Sequence, residues 1–137
     1  MIKGISHTTF IVKDIERTAA LLQALGAQQQ YDSGEQTHSL SRERFFLLGD
    51  LWFVLMQGEP LAERTYNHVA LAVADADLDE AEQRLRQIGV EVLPGRPRVA
   101  GEGRSLYFYD FDNHLFELHS GTLAQRLASY RVLDGAE

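Results

Sequence analysis

The sequence has no cysteine. That excludes disulfides, thiolate nucleophiles and cysteine-ligated metals. Any metal must therefore be held by histidine and carboxylates, donors that suit Zn, Mn or Fe(II). No apolar run is long enough to span a bilayer, and the opening MIKGISH lacks the apolar core of a signal peptide. A cytoplasmic protein without a membrane partner is expected. Positive charge is scarce, with 13 Lys and Arg against 20 Asp and Glu and a net charge of −7. That is a poor footprint for nucleic acid or an anionic membrane. The exception is RPRVAGEGR, where Arg96, Arg98 and Arg104 stand against one acid, Glu102. Such a run reads either as a solvated loop or as a pocket for a small anion.

What is present is a repeat. A chain of 137 residues, 45% apolar, allows one globular domain with its own core. Within it, ISHTTFIVKDIERTAALLQALGA is similar to YNHVALAVADADLDEAEQRLRQIGV, and self-similarity of this kind governs the fold. His7 and His68 each sit early in an apolar run. Each run breaks at aspartate, Asp14 in one copy and Asp75 to Asp79 in the other, a residue type that starts helices. Helical spacing follows, through Ile15, Ala19, Leu22 and Leu25 and through Leu78, Ala81, Leu85 and Ile88. Gly26 and Gly89 then suit the left-handed position that ends a helix. Two strands close each copy: THSLSRERFFLL and LWFVLMQG around Gly49-Asp50, SLYFYDF and HLFELHS around Asp112-Asn113. With one more strand before each closing pair, the pattern predicts an α+β fold of two βαβββ modules. They cover about residues 1–58 and 64–121 of a single domain and are joined by GEPLAER. A C-terminal helix over about 122–131 begins at Thr122, where TLAQ reads as a capping box.

Glu117 is out of place in this pattern. Leu115, Glu117 and His119 share one face of the last strand, and Phe116 and Leu118 share the other. Burying an ionised carboxylate is costly unless it is paired or bound to a metal. A lone strand histidine is more often a hydrogen-bonded core residue than a ligand. Two at equivalent positions of a repeat, with a misplaced glutamate, can instead hold a divalent ion and leave positions open for substrate.

These residues resemble those of the vicinal oxygen chelate (glyoxalase) superfamily. The stretches ISHTTFIVKD, SLSRERFFLLGDLW, ERTYNHVA and RPRVAGEGRSLYFYDFDNHLFELHSGTL are similar to its fosfomycin resistance proteins, and in particular to the FosX type of epoxide hydrolase. The resemblance implies Mn(II) on His7, His68 and Glu117. It also implies a homodimer whose modules pair across chains, with His7 from one chain and His68 and Glu117 from the other. The implied reaction is attack of water on the carbon of fosfomycin that bears the phosphonate, giving the vicinal diol with inversion and no thiol cofactor. Glu43 would be the general base. Taken alone, Glu43 between Arg42 and Arg44 reads as a solvated strand carboxylate. Alternation nevertheless puts it on the Phe45 face, opposite both arginines, where a half-apolar cleft would raise its pKa as a base requires.

For the phosphonate, the resemblance points to Arg126, which would otherwise read as a surface helix arginine, and to Trp52 as a pocket aromatic. Ser105 and Tyr107 share a strand face and can donate hydroxyl hydrogen bonds; Tyr109 lies on the same face. Tyr66 shares a face with His68 and Thr9 with His7, and Arg98 is a weaker electrostatic candidate. Glutathione-dependent relatives carry a serine that helps bind potassium where this chain has Gly101, so no potassium is expected. His119 could hydrogen-bond beside Glu117, while His38 and His114 are expected at solvent-facing or turn positions. The rival readings are a thiol transferase acting on the same epoxide, a hydrolase of another phosphonate or epoxide, an extradiol dioxygenase, and a drug-sequestering binding module. The last would lack the His7, His68 and Glu117 set.

Overall fold

Aspartate and glycine set the element boundaries. In a computed structural model, which describes residues 1–95 and 98–135, Asp14 caps the first helix by accepting a hydrogen bond from the Arg17 N–H at 3.1 Å. Gly26 and Gly89 follow the two repeat helices at φ +95° and +94°, the left-handed region that glycine enters without strain. The chain divides into two compact units. Met1–Arg64 with Asp110–His114 forms one, and Thr65–Tyr109 with Leu115–Glu137 the other.

The first unit holds β1 (His7–Val12), α1 (Ile15–Ala24), β2 (Gln28–Asp32), β3 (Glu43–Leu48) and β4 (Leu51–Gln57), with sheet order β1-β4-β3-β2. The second holds β5 (His68–Ala72), α2 (Leu78–Ile88), β6 (Val92–Pro94), β7 (Ser105–Tyr109), β8 (Leu115–His119) and α3 (Leu123–Leu133), with sheet order β5-β8-β7-β6. Each unit is therefore βαβββ, and the architecture is α+β. In each, the first strand runs parallel to the last, and the last two are antiparallel.

Alternation divides each sheet into a helix face and an open face. Val12, Phe46, Phe53 and Leu55 are buried on the helix face of the first sheet, with Ile15, Ala19 and Leu22 of α1. Arg44, on the Phe46 side of β3, reaches Glu16 of α1 at 2.6 Å. In the second unit Leu106, Phe108, Phe116 and Leu118 are buried with Leu78 and Leu85 of α2. Arg104 at the foot of β7 reaches Asp75 at 2.8 Å. The open faces carry His7, Thr9, Trp52, Glu43 and Phe45 in one unit and His68, Glu117, Ser105 and Tyr107 in the other.

Three expectations are corrected. The THSLS segment is not strand: Thr37 Oγ donates to the Ser41 carbonyl at 2.6 Å and Ser41 Oγ to the Gln57 carbonyl at 2.6 Å. Such hydroxyl bonds compete with a ladder, and β3 begins only at Glu43. The second helix is entered through a 3-10 turn, Asp75–Asp77, with no side-chain cap. The capping box at Thr122 is present, but its helix runs to Leu133. His114, expected at a solvent-facing or turn position, lies at a turn and is buried. Its Nδ1 lies 2.7 Å from Asp110 Oδ2 and its ring packs edge-on against Phe10 at 4.9 Å. His38 is exposed as expected. Among the described residues, no helix is long and apolar enough to cross a membrane.

Candidate metal centre

β8 is the inner strand that carries Glu117. Its register neighbours are Ala70 on β5 and Tyr107 on β7. The alanine methyl leaves room beside the carboxylate, and His68, two residues earlier, brings Nε2 to 3.2 Å from Glu117 Oε1. His68 Nδ1 lies 2.7 Å from the Tyr66 carbonyl, which can only accept. Nδ1 must therefore carry the proton, and in a neutral ring Nε2 turns its lone pair towards a carboxylate oxygen. Two acceptors face each other, an arrangement that calls for a cation. Ligands each about 2.1 Å from one ion stand about 3.0–3.4 Å apart, so the observed gap fits a shared metal.

The other carboxylate oxygen is saturated. Glu117 Oε2 accepts from Ser105 Oγ at 2.5 Å and from Arg98 Nη2 at 2.9 Å. Because Ser105 gives its one hydrogen to Glu117, it must accept from His119 Nδ1 at 2.7 Å and from Arg98 Nη2 at 2.5 Å. That fixes the His119 tautomer and leaves its Nε2 lone pair facing Arg126 Nη2 at 3.4 Å. Burial pushes the Glu117 carboxyl up, but hydrogen bonds from Ser105 and Tyr107 and the charge of Arg98 bring it below the usual carboxylate range. Burial, aided by Tyr66 and Glu117, pushes the Tyr107 hydroxyl far up. The Tyr66 and Tyr107 hydroxyls lie 3.1 Å apart. Tyr109 is turned to other use, donating to the Thr65 carbonyl at 3.1 Å.

The open face of the first unit is of another kind. His7 is exposed, with Nδ1 3.0 Å from Ser6 Oγ and its ring on Trp52 at 4.2 Å. Thr9 follows on the same face. Trp52 meets Phe45 edge-on at 5.4 Å, and Phe45 meets Tyr31 at 5.0 Å. Beside this aromatic row Glu43 is 8% exposed. Its backbone N–H donates to Ser33 Oγ at 3.0 Å, while nothing among the described residues hydrogen-bonds its carboxylate. The second unit thus brings together His68, Glu117, Tyr66, Tyr107, Ser105 and Arg98, and the first holds His7, Thr9, Trp52 and Glu43. Among the described residues, no group of three His, Asp or Glu side chains could by itself hold a metal ion.

One residue of consequence escaped the sequence reading. Glu102 is fully buried; its Oε1 takes Arg98 at 3.2 Å and the Tyr130 hydroxyl at 3.0 Å, and its Oε2 takes the Val99 N–H at 3.0 Å. Arg126 Nε stands 3.5 Å from Oε1. A single acid among three arginines was the signal. The arginine run itself divides, with Arg98 directed inward, Arg104 paired to Asp75, and Arg96 outside the described residues.

The sequence profile of the Glyoxalase/Bleomycin resistance protein/Dioxygenase superfamily matches residues 4–118. The fosfomycin resistance protein FosX of Listeria monocytogenes is 54% identical over 95% of this chain and 98% of its own. FosX of Mesorhizobium japonicum is 56% identical over 93% of each chain. The chain belongs to the FosX family. A crystal structure of a FosX variant from Listeria monocytogenes, complexed with Mn(II) and 1S,2S-dihydroxypropylphosphonic acid, is similar with a TM-score of 0.85 and 53% identity, over 95% of this chain and 99% of that one. Gly101 has φ +84°, and a Cβ there would lie 2.9 Å from Ser129 Oγ. A serine would be strained at that position in this FosX-family loop.

Proposed function

We propose that the chain is a cytoplasmic Mn(II)-dependent hydrolase that opens the epoxide of fosfomycin with water to the vicinal diol, acting as a homodimer with shared sites. The observation that carries this reading is the His68–Glu117 pair, an imidazole lone pair facing a carboxylate oxygen at 3.2 Å, in a chain 54% identical to a FosX protein. His68, Glu117 and His7 of a second copy of the chain would hold the ion. Bound there, Mn(II) would supply Lewis-acid stabilisation of the oxyanion that develops as the epoxide opens.

The chain's own residues do the rest. Arg126, with 34% of its side chain exposed and touching His119 and Glu102 at 3.4 and 3.5 Å, offers a cation to the phosphonate. The Tyr66 and Tyr107 hydroxyls, 3.1 Å apart, and the Thr9 hydroxyl would be polar partners of the substrate in this reading, and Trp52 with Phe45 would give an apolar wall. Glu43, whose oxygens no donor among the described residues occupies, takes a proton from water as the water oxygen bonds to the carbon bearing the phosphonate. The carbon–oxygen bond of the ring at that carbon breaks. The released oxygen takes up a proton to become the second hydroxyl, and Glu43 returns its proton to solvent. One water is consumed and one diol formed.

Fosfomycin incubated with the protein and Mn(II) in ¹⁸O-labelled water, without thiol, should give a diol with one labelled oxygen. A product that forms only with added glutathione or bacillithiol, and contains sulfur, would overturn the reading in favour of a transferase.

A further inference from the structure

Arg98 is an unusual candidate for a substrate contact, because both of its terminal nitrogens are already engaged inside the protein. Its side chain is 13% exposed. Nη1 donates to Glu102 Oε1 at 3.2 Å, and Nη2 donates to Ser105 Oγ at 2.5 Å and Glu117 Oε2 at 2.9 Å. Nε is buried and has no hydrogen-bond partner among the described residues. Arg126, by contrast, is 34% exposed and its contacts with His119 and Glu102 are 3.4 and 3.5 Å. One guanidinium is locked in place and the other is free enough to receive an anion.

The lock is built around Glu102. A fully buried carboxylate survives only if its charge and lone pairs are met, and both its oxygens are occupied. The loop can approach this closely because of two glycines. A Cβ on Gly121 would collide with the Glu102 carbonyl, and one on Gly103, at φ +91°, would lie 2.6 Å from Gly121 N. The Ser129 hydroxyl, which donates to the Ala100 carbonyl at 2.9 Å, ties α3 to the same loop. What this structure holds still is Glu117 Oε2. With that oxygen occupied by Ser105 and Arg98, Oε1 alone is presented beside His68.

We infer that Arg98 and Glu102 form an internal positioning pair that restricts Glu117 to ligation through Oε1, and that Arg98 is not a phosphonate contact. This rests on the metal reading of His68 and Glu117 given above. Outer partners of metal ligands orient them, and their loss typically weakens metal binding about 10- to 100-fold.

The sign of the effect separates this role from a purely electrostatic one. Removing a cation from beside a metal ligand should tighten Mn(II) on charge alone, whereas losing the positioning contact should weaken it. Mn(II) affinity is measured on the full-length protein by the EPR signal of free Mn(II), with no turnover involved. Arg98→Met should bind Mn(II) about 10-fold or more weaker, while the fosfomycin KM at saturating Mn(II) stays within about threefold. Glu102→Gln, nearly the same shape and still able to accept from Val99 N–H, should weaken Mn(II) in the same direction. The double variant should be no worse than the poorer single one, as expected of groups acting as a unit. Arg126→Met should do the reverse, raising KM about 10-fold or more, the usual worth of a charge-assisted contact, with Mn(II) affinity unchanged. Unchanged or tighter Mn(II) in both Arg98→Met and Glu102→Gln, or a KM rise in Arg98→Met as large as that in Arg126→Met, overturns the inference. His68→Ala is measured alongside. If it retains wild-type Mn(II) affinity, the metal reading itself falls and this inference with it; if only His68→Ala loses Mn(II), the metal reading stands and the positioning pair is refuted.

Discussion

His7 lies opposite Trp52 in one parallel ladder, and His68 lies opposite Leu115 in the other. Carried one step along, Thr9–Val54 matches Ala70–Glu117, and across the antiparallel partner Glu43 matches Ser105 and Phe45 matches Tyr107. The same register bears opposite chemistry. In the second unit the carboxylate at the ladder centre meets a hydroxyl, a guanidinium and an imidazole, and these hold its charge in place. In the first that position is Val54, and the carboxylate stands one strand over, at Glu43, with no donor on its oxygens among the described residues. A saturated carboxylate makes a fixed ligand and a poor proton acceptor; an unoccupied one makes the better base. One repeated frame thus carries, in the proposed reading, the ligand at one matched position and the base at another.

The strongest way to break this contrast is to write the first unit's residue into the second. Glu117→Val should abolish Mn(II) binding. It should also cost about 3–5 kcal/mol of stability, because it removes one partner of a buried ion pair. Glu117→Gln keeps an acceptor for Ser105 and separates the two losses, and retained stoichiometric Mn(II) in both variants would remove Glu117 from the site. Next in size is Glu43→Gln, which keeps shape but cannot take a proton. Diol formation should slow by about 10²–10⁴ while Mn(II) and fosfomycin still bind. If labelled water oxygen enters the diol at the wild-type rate, the unoccupied carboxylate is not the base.

The frame was legible in the sequence because it is written in local chemistry. Asp14, Gly26, Gly89 and the TLAQ box act within one helical turn, and the apolar alternation of β1 and β5 follows from the strand period. His7, His68 and Glu117 stood out because the repeat aligned two of them and the third broke an apolar pattern. What stayed hidden depends on partners far along the chain. Ser41 gives up strand geometry to a carbonyl 16 residues away, and Glu102 is buried by a hydroxyl 28 residues away. His114 is explained by Asp110 and Phe10 together, and neither reads as its partner in sequence. Loop chemistry of this kind has no period to betray it.

A third experiment tests whether the two kinds of open face meet in pairs of chains. His7→Ala and Glu117→Ala should each be inactive alone. Mixed and allowed to exchange subunits, they should recover up to about a quarter of wild-type activity, because half the dimers are hybrids and each hybrid has one intact site. Exchange demonstrated by mass spectrometry with no recovery would place each site within a single chain.

The smallest expected effect concerns the helix faces, where the two units agree. Arg42 and Arg104 occupy matched positions, each one residue before a matched strand start, and each reaches the beginning of its unit's helix: Arg42 to Glu16 at 2.9 Å, Arg104 to Asp75 at 2.8 Å. Hydrogen bonds from the arginines hold the Glu16 and Asp75 carboxyls below their ordinary range. A carboxyl with a depressed folded-state pKa stabilises the fold above its unfolded pKa, and that contribution disappears as pH falls through the folded value. Arg42→Met and Arg104→Met should therefore each lower Tm slightly near pH 7, and the difference from wild type should shrink towards zero as pH drops below about 4. Added salt should shrink it too, since these pairs are exposed. Arg42 also touches Asp32 at 3.2 Å, so its variant should show the larger shift. Equal Tm curves for wild type and both variants at pH 7 would mean that the repeated brace holds geometry without adding stability.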